Sequence, residues 1–232
     1  MAERRKPARE EAGTALRRTV VETAQTMSRE GLSPGRSGNV SARTDGGILI
    51  TPTGLAYDGL TPEQIVLVRD DGTSPAGALR PSSELPLHLA VYRARPEAQA
   101  VVHCHSLNAT ALACAGRGIP AFHYMVAVAG GADIPVAPYA TFGTPALAES
   151  VAATLAERRA CLLAHHGQIA CGKDLASALD LARDVEVLAA QYLKTLQIGG
   201  GPILGADAMA EVLERFQTYG QQKKPARKSR SR

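Results

Sequence analysis

The stretch AVVHCHSLNATALACA, residues 100–115, changes its periodicity halfway along. Its first half is a short apolar run with β-branched residues, which suits a buried strand. Its second half, from Ser106, is rich in Leu and Ala and suits a helix. The same alternation extends in both directions. Upstream lie IVLVRD, read as a strand, and SSELPLHLAVYRAR, read as a helix with Ser82 or Ser83 as N-cap and Pro86 in its first turn. Downstream come the helix PALAESVAATLAERR, the strand ACLLAHH, a long helix near residues 173–196 and a closing helix ADAMAEVLERFQTYG. Strands alternating with helices through most of 232 residues predict one α/β domain whose sheet is covered on both faces.

The outer parts of the chain frame that domain. Leu16, Val20, Ala24 and Met27 fall at helical spacing and run into the loop GLSPGRSGN; NVSAR and GGILIT then read as a hairpin around DGG. Residues 1–11 and 221–232 are charged and are set aside as disordered ends, leaving residues 12–220 as the domain. The net charge of +4 belongs to the tail. KKPARKSRSR holds six Lys or Arg and no acid, while the preceding 222 residues hold 20 basic against 22 acidic side chains. With no aromatic residue in that tail and no basic patch in the body, a nucleic-acid partner is not expected. No run of 18 apolar residues marks a membrane span, and the charged start lacks the apolar segment of a secretory signal. A cytoplasmic protein with no membrane partner is therefore expected. Cys104, Cys114, Cys161 and Cys171 lack CxxC spacing and sit within or beside apolar runs, which predicts reduced, mostly buried thiols.

The histidines of the opening stretch carry the chemistry. Neighbouring side chains of a strand take opposite faces, so His103 and His105 project together while Cys104 points away. Two imidazoles side by side serve either as metal ligands or as hydrogen-bonded core histidines. A metal site needs a third ligand, and CLLAHHGQIA offers a second apolar strand ending in histidines. On a strand His165 and His166 face opposite ways, so only one can join the pair. Three neutral imidazoles leave coordination positions open, as in a catalytic rather than a structural Zn2+ site. His88 and His123 are read as hydrogen-bonded histidines outside the shell, because a fourth protein ligand would close it.

RPSSELPLH places two hydroxyls at a helix start, together with Glu84, the only acid between Asp71 and Glu97. Free backbone N–H groups and the helix dipole favour a phosphate there. Ser82 and Ser83 would serve a cap equally well, since cap and phosphate use the same donors. SGNVS and TPTG add loops of small polar residues and glycine that let backbone amides approach an anion.

Taken in order, SGNVS, ITPTG, PSSE, VVHCHS and LLAHHG resemble the class II aldolase/adducin family over roughly residues 12–220. IPAFHYMVAVAGG, IPVAPYATFGT, DVEVLAAQYLKTL and RFQTYG belong to the same resemblance. It implies a three-layer α/β/α domain around a mixed, largely antiparallel sheet. It implies one catalytic Zn2+ per subunit, with another divalent metal as the alternative, on His103, His105 and His166, and Glu84 as the catalytic acid/base. Phosphate falls to Asn39, Thr53, Gly54, Ser82 and Ser83. Tyr124 would reach into a neighbouring subunit's site and exchange a proton with the aldehyde oxygen, Tyr219 would line that site, and the subunits would form a homotetramer. The implied reaction is reversible cleavage of a ketose 1-phosphate, of the L-fuculose 1-phosphate kind, to dihydroxyacetone phosphate and an aldehyde through a metal-stabilised enediolate. Moving the proton on the carbon beside the carbonyl suits a carboxylate set near a cation and an apolar wall.

The same superfamily holds other activities: pentulose-phosphate 4-epimerases, a methylthioribulose-1-phosphate dehydratase and a deoxypentulose-1-phosphate salvage aldolase. The epimerases resemble SSD where this chain has SSE, which favours cleavage. The adducin branch uses the fold for cytoskeletal binding and has lost the metal ligands. All three histidines are present here, which favours an enzyme.

Overall fold

The computed structural model describes residues 5–217, and its strands are β1 (Asn39–Thr44), β2 (Gly47–Ile50), β3 (Val66–Arg69), β4 (Ala100–Cys104), β5 (Val136–Ala137), β6 (Ala160–Leu163) and β7 (Gly167–Gly172). They form a single sheet in the order β3-β2-β1-β4-β7-β6-β5. Every pairing is antiparallel except β5 with β6, so the sheet is mixed and largely antiparallel, as expected. The helices are α1 (Arg5–Arg29), α2 (Leu85–Ala94), α3 (Leu107–Cys114), α4 (Pro145–Thr154), α5 (Leu175–Gln197) and α6 (Ala206–Phe216). The backbone of α1 starts within the charged run set aside as a disordered end. Its Arg, Ala and Glu are good helix formers, and Pro7 falls in the first turn, where its missing N–H breaks no helical bond. The basic tail and Tyr219 lie outside the described residues.

Strand alternation divides the core in two, which is the three-layer arrangement. On one face Val40, Ala42, Val102, Cys104, Leu162 and Ala170 pack against α1, α3 and α5; on the other Ile50, Val66, Val101, Leu163, Ile169 and Cys171 pack against α2 and α4. Cys104 thus lies on the α5 side, and His103, one residue before it, on the α2 side. Cys104, Cys161 and Cys171 are buried free thiols, and Cys114 is an exposed one.

Three sequence expectations need correction. First, the strand read as ACLLAHH ends at Leu163 as β6, and GQIACG forms a further strand, β7, because His165 takes a left-handed conformation (φ 54°) and turns the chain back. His165 and His166 therefore diverge at a turn, not by strand alternation. Second, the N-cap of α2 is Glu84, not Ser82 or Ser83; Ser82 Oγ instead accepts the Glu84 N–H at 3.2 Å. Third, residues 117–146, rich in Gly, Ala and Pro and without strand periodicity in the sequence, contain β5, whose two residues are too few to show a period.

Helix ends are fixed by side chains in two places. The Glu186 carboxylate of α5 accepts the first free N–H groups of α3, from Asn108 and Ala109 at 2.9 Å each, which fixes the helix that begins just after His105. Asp174 caps α5, accepting from Ser177 N at 2.7 Å while Ser177 Oγ accepts from Asp174 N at 3.2 Å. Asp174→Ala is expected to cost about 1 kcal/mol of stability, readable in denaturant unfolding, with no change in metal binding.

Candidate active site

His103, His105, His166 and Glu84 converge at the end of the sheet where β4 runs out and β7 begins, with one ligand atom from each lying within 4.8 Å of the others. The three imidazoles meet edge to face, with ring centroids 4.8 to 4.9 Å apart. His103 and His105 share a face because they are two residues apart, and His166 arrives from the β6–β7 turn. Glu84 arrives from the start of α2, its Oε2 3.1 Å from His103 Nε2 and its Oε1 3.2 Å from His166 Nε2.

The tautomer of His103 follows from its other nitrogen. Nδ1 lies 2.8 Å from the Gln168 carbonyl oxygen, which can only accept, so Nδ1 carries the proton and Nε2 presents its lone pair to the cluster. That lone pair faces His105 Nε2 at 3.0 Å and the Glu84 carboxylate, an arrangement that repels unless a proton or a cation stands between. Two nitrogens on a tetrahedral Zn2+ lie roughly 3.3 Å apart, close to that separation. Glu84 Oε1 is buried and has no hydrogen-bond partner. The donor set, three imidazole nitrogens and a carboxylate with an unsatisfied oxygen, fits a divalent cation.

The electrostatics of the cluster agree. Burial works to raise the Glu84 carboxyl, but the His103 and His166 imidazoles outweigh it and hold it well below the usual carboxylate range. Burial works against a charge on His103, and the Glu84 carboxylate lifts the ring above its ordinary value regardless. His105 is pushed down to about 3, by burial and then by the neighbouring imidazoles. One positive charge is thus wanted here and a second is refused.

Glu84, His105 and His166 of the cluster line a cleft of about 370 Å³, and His103 is fully buried. Thr53, Gly54, Ser82 and Ser83, four of the five residues expected to hold phosphate, line the cleft; Thr53, Gly54 and Ser83 are exposed, and Ser82 is buried with its Oγ accepting the Glu84 N–H. Asn39 also lines the cleft, but its side-chain amide is engaged elsewhere: Nδ2 donates to Glu84 Oε2 at 2.9 Å and Oδ1 accepts from His88 Nε2 at 2.5 Å. His88 and His123 stay outside the cluster and are hydrogen-bonded, His123 Nδ1 accepting from Met125 N at 3.1 Å. Tyr124 is exposed, stacked on His123 at 4.8 Å and away from the cleft of its own chain.

Sequence reasoning missed the rim. Arg36 lines the cleft and donates to the Gly54 carbonyl at 3.1 Å; Tyr139 and Phe142 are exposed aromatics at its mouth. The loops GLSPGRSGN and IPVAPYATFGT were singled out, but nothing in them marks which side chain turns inward. Gly167 was legible as a glycine after His166, without its reason. A Cβ there would lie 2.5 Å from the Cys104 carbonyl oxygen and 2.9 Å from His105 Cδ2. Gly167→Ala is therefore expected to displace the His105 ring and weaken metal binding by roughly ten-fold or more, measured by Zn2+ titration.

Similarity to known proteins agrees with this geometry. The sequence profile described as Class II Aldolase and Adducin N-terminal domain matches residues 18–193. An L-fuculose phosphate aldolase of Escherichia coli is 52% identical over 206 residues, 88% of this chain and 95% of that protein. A 5-methylthioribulose-1-phosphate/5-deoxyribulose-1-phosphate aldolase of Rhodospirillum rubrum is 49% identical over 206 residues, 89% and 93% of the two chains. Among solved structures, an L-fuculose 1-phosphate aldolase superposes with a TM-score of 0.84 at 34% identity, covering 88% of this chain and 96% of its own.

Proposed function

The chain belongs to the class II aldolase and adducin family, and from that membership we propose that it is an aldehyde-lyase cleaving a ketose 1-phosphate reversibly to dihydroxyacetone phosphate and an aldehyde. The observation that carries this reading is the convergence of three imidazoles and a carboxylate beside a cleft lined by hydroxyls and glycine. His103, His105 and His166 would hold the cation, for which imidazole ligation favours Zn2+. That cation supplies Lewis-acid stabilisation of the negative charge that carbon–carbon cleavage leaves beside the carbonyl.

The chain's own residues do the rest. Thr53, Gly54, Ser82 and Ser83 bind the phosphate, and holding that remote group fixes the reacting carbons beside Glu84. In cleavage, the C4 hydroxyl gives up its proton as the C3–C4 bond breaks, the electron pair stays with the triose fragment, and Glu84 delivers a proton to C3. In synthesis Glu84 removes that proton. Tyr124, which is exposed and does not line its own cleft, would serve a second copy's site, where its hydroxyl would exchange the proton of the aldehyde oxygen. The reading includes a homotetramer with the sites between subunits, residues 12–220 as the one catalytic domain, and a cytoplasmic location. The unpaired thiols support that location, and no helix among the described residues is long and apolar enough to cross a membrane.

Relatives named for L-fuculose phosphate and for methylthioribulose and deoxyribulose 1-phosphates make all three the substrates to compare. The test is dihydroxyacetone phosphate release from each, with and without a chelator. Cleavage of at least one, abolished by chelation and restored by Zn2+, is expected. Absence of cleavage with Zn2+ present, or epimerisation of a ketose 5-phosphate instead, overturns the reading.

A further inference from the structure

Resting on the aldolase reading above, we propose that His88 is a positioning residue for Glu84, acting through Asn39 within a one-way chain of buried hydrogen bonds that begins at Tyr92. The links are Tyr92 Oη to Ser41 Oγ at 2.9 Å, Ser41 Oγ to His88 Nδ1 at 2.6 Å, His88 Nε2 to Asn39 Oδ1 at 2.5 Å and Asn39 Nδ2 to Glu84 Oε2 at 2.9 Å. All five residues are buried.

Their register is simple. Glu84, His88 and Tyr92 recur every four residues along one stripe of α2, and Asn39 and Ser41 recur every two along the α2-facing side of β1. The two rows alternate and close on each other, helix to strand to helix, down to Glu84.

The direction of every bond follows from one end. An ionised carboxylate only accepts, so Asn39 turns its NH2 toward Glu84 and its carbonyl oxygen toward His88. His88 must then carry its proton on Nε2, which leaves Nδ1 to accept from the Ser41 hydroxyl, whose lone pair takes the Tyr92 proton. A ring with one donor and one acceptor must stay neutral, and burial pushes His88 down to about 3. Without the His88 donor the Asn39 amide can turn over and set its oxygen against the carboxylate.

The consequence falls on the two Glu84 oxygens. Oε2 is held by Asn39, whereas Oε1 is held by no hydrogen bond and has His166 Nε2 at 3.2 Å as its polar neighbour. The chain anchors Oε2 and leaves Oε1 to carry the substrate proton.

The experiment compares His88→Leu and His88→Gln with the native protein, all loaded with Zn2+, for kcat, KM, metal per chain, melting temperature and exchange of the dihydroxyacetone phosphate C3 proton with solvent. His88→Leu is expected to lose roughly ten- to hundred-fold in kcat and in proton exchange at full metal content, with KM changed less than about two-fold. His88→Gln, which restores an N–H toward Asn39, is expected to recover most of the loss. A purely structural role would instead lower melting temperature and metal content in both variants and leave kcat per metal-loaded molecule at the native value; that result overturns the proposal. A second readout needs neither metal nor activity: 15N spectra of the native, metal-free protein should show His88 as the neutral Nε2–H tautomer. An Nδ1–H tautomer reverses the chain and overturns the proposal even if His88→Leu does not fold. If the native protein cleaves no ketose 1-phosphate, the aldolase reading fails by itself, while the tautomer still decides whether the chain runs as described.

Discussion

Glu84→Gln is expected to keep its fold and its metal while kcat falls by roughly a hundred- to ten-thousand-fold, the range over which positioned acid–base groups act. The substitution changes no volume, and its amide oxygen can still accept from Asn39 Nδ2 where Oε2 does now. What it removes is an oxygen able to take up and return a proton. Loss of the negative charge beside the imidazoles weakens the hold on a cation, so the comparison belongs at saturating Zn2+. KM should move little, because Thr53, Gly54, Ser82 and Ser83 are untouched. Two measurements check it together: release of dihydroxyacetone phosphate, and exchange of its C3 proton with solvent. Native rates in both would take Glu84 off the proton path.

His105→Ala should be as damaging by a different route. It removes one of the three nitrogens proposed to hold the cation, so metal per chain should fall from one to near zero at modest Zn2+ and turnover should go with it. The same variant makes a stability prediction with a sign. A cation present at a hundred times its Kd stabilises the native fold by about 2.7 kcal/mol, which for a chain of this size raises Tm by roughly 5 to 10 °C. That metal-dependent rise should vanish in His105→Ala. In the metal-free protein the substitution should cost far less, since it relieves the close approach of His105 Nε2 to His103 Nε2 at 3.0 Å. Calorimetry with and without Zn2+ separates the two. A variant that still gained the full Tm increment would show that the cation does not use His105.

How much of this was legible beforehand differs from residue to residue. The pairing of His103 with His105 was readable from two-residue spacing at the end of an apolar strand, and the structure brings the two ring centroids to 4.9 Å. The split of ACLLAHHGQIA into β6 and β7 was not readable, because an apolar run interrupted by two histidines has no turn composition; the reversal rests on the left-handed backbone of His165. Asn39 is the instructive case. The resemblance gives it to phosphate, and the structure adds that its side-chain amide is hydrogen-bonded to Glu84 and His88, contacts that only its place beside α2 makes.

Local order along the chain therefore determined the classes: which segments are strand or helix, that the sheet would be covered twice, that two histidines would share a face, and that a lone acid would stand at a helix start. Those follow from backbone periodicity and side-chain chemistry, which act over a few residues. The tertiary structure decided the partnerships. His103 is oriented by the carbonyl of Gln168, 65 residues away, and Glu84 by Asn39, 45 residues away. Such contacts depend on how β1, β4 and β7 pair and on where α2 lies across them. No spacing within a single segment encodes that, because a hydrogen bond is set by distance in space.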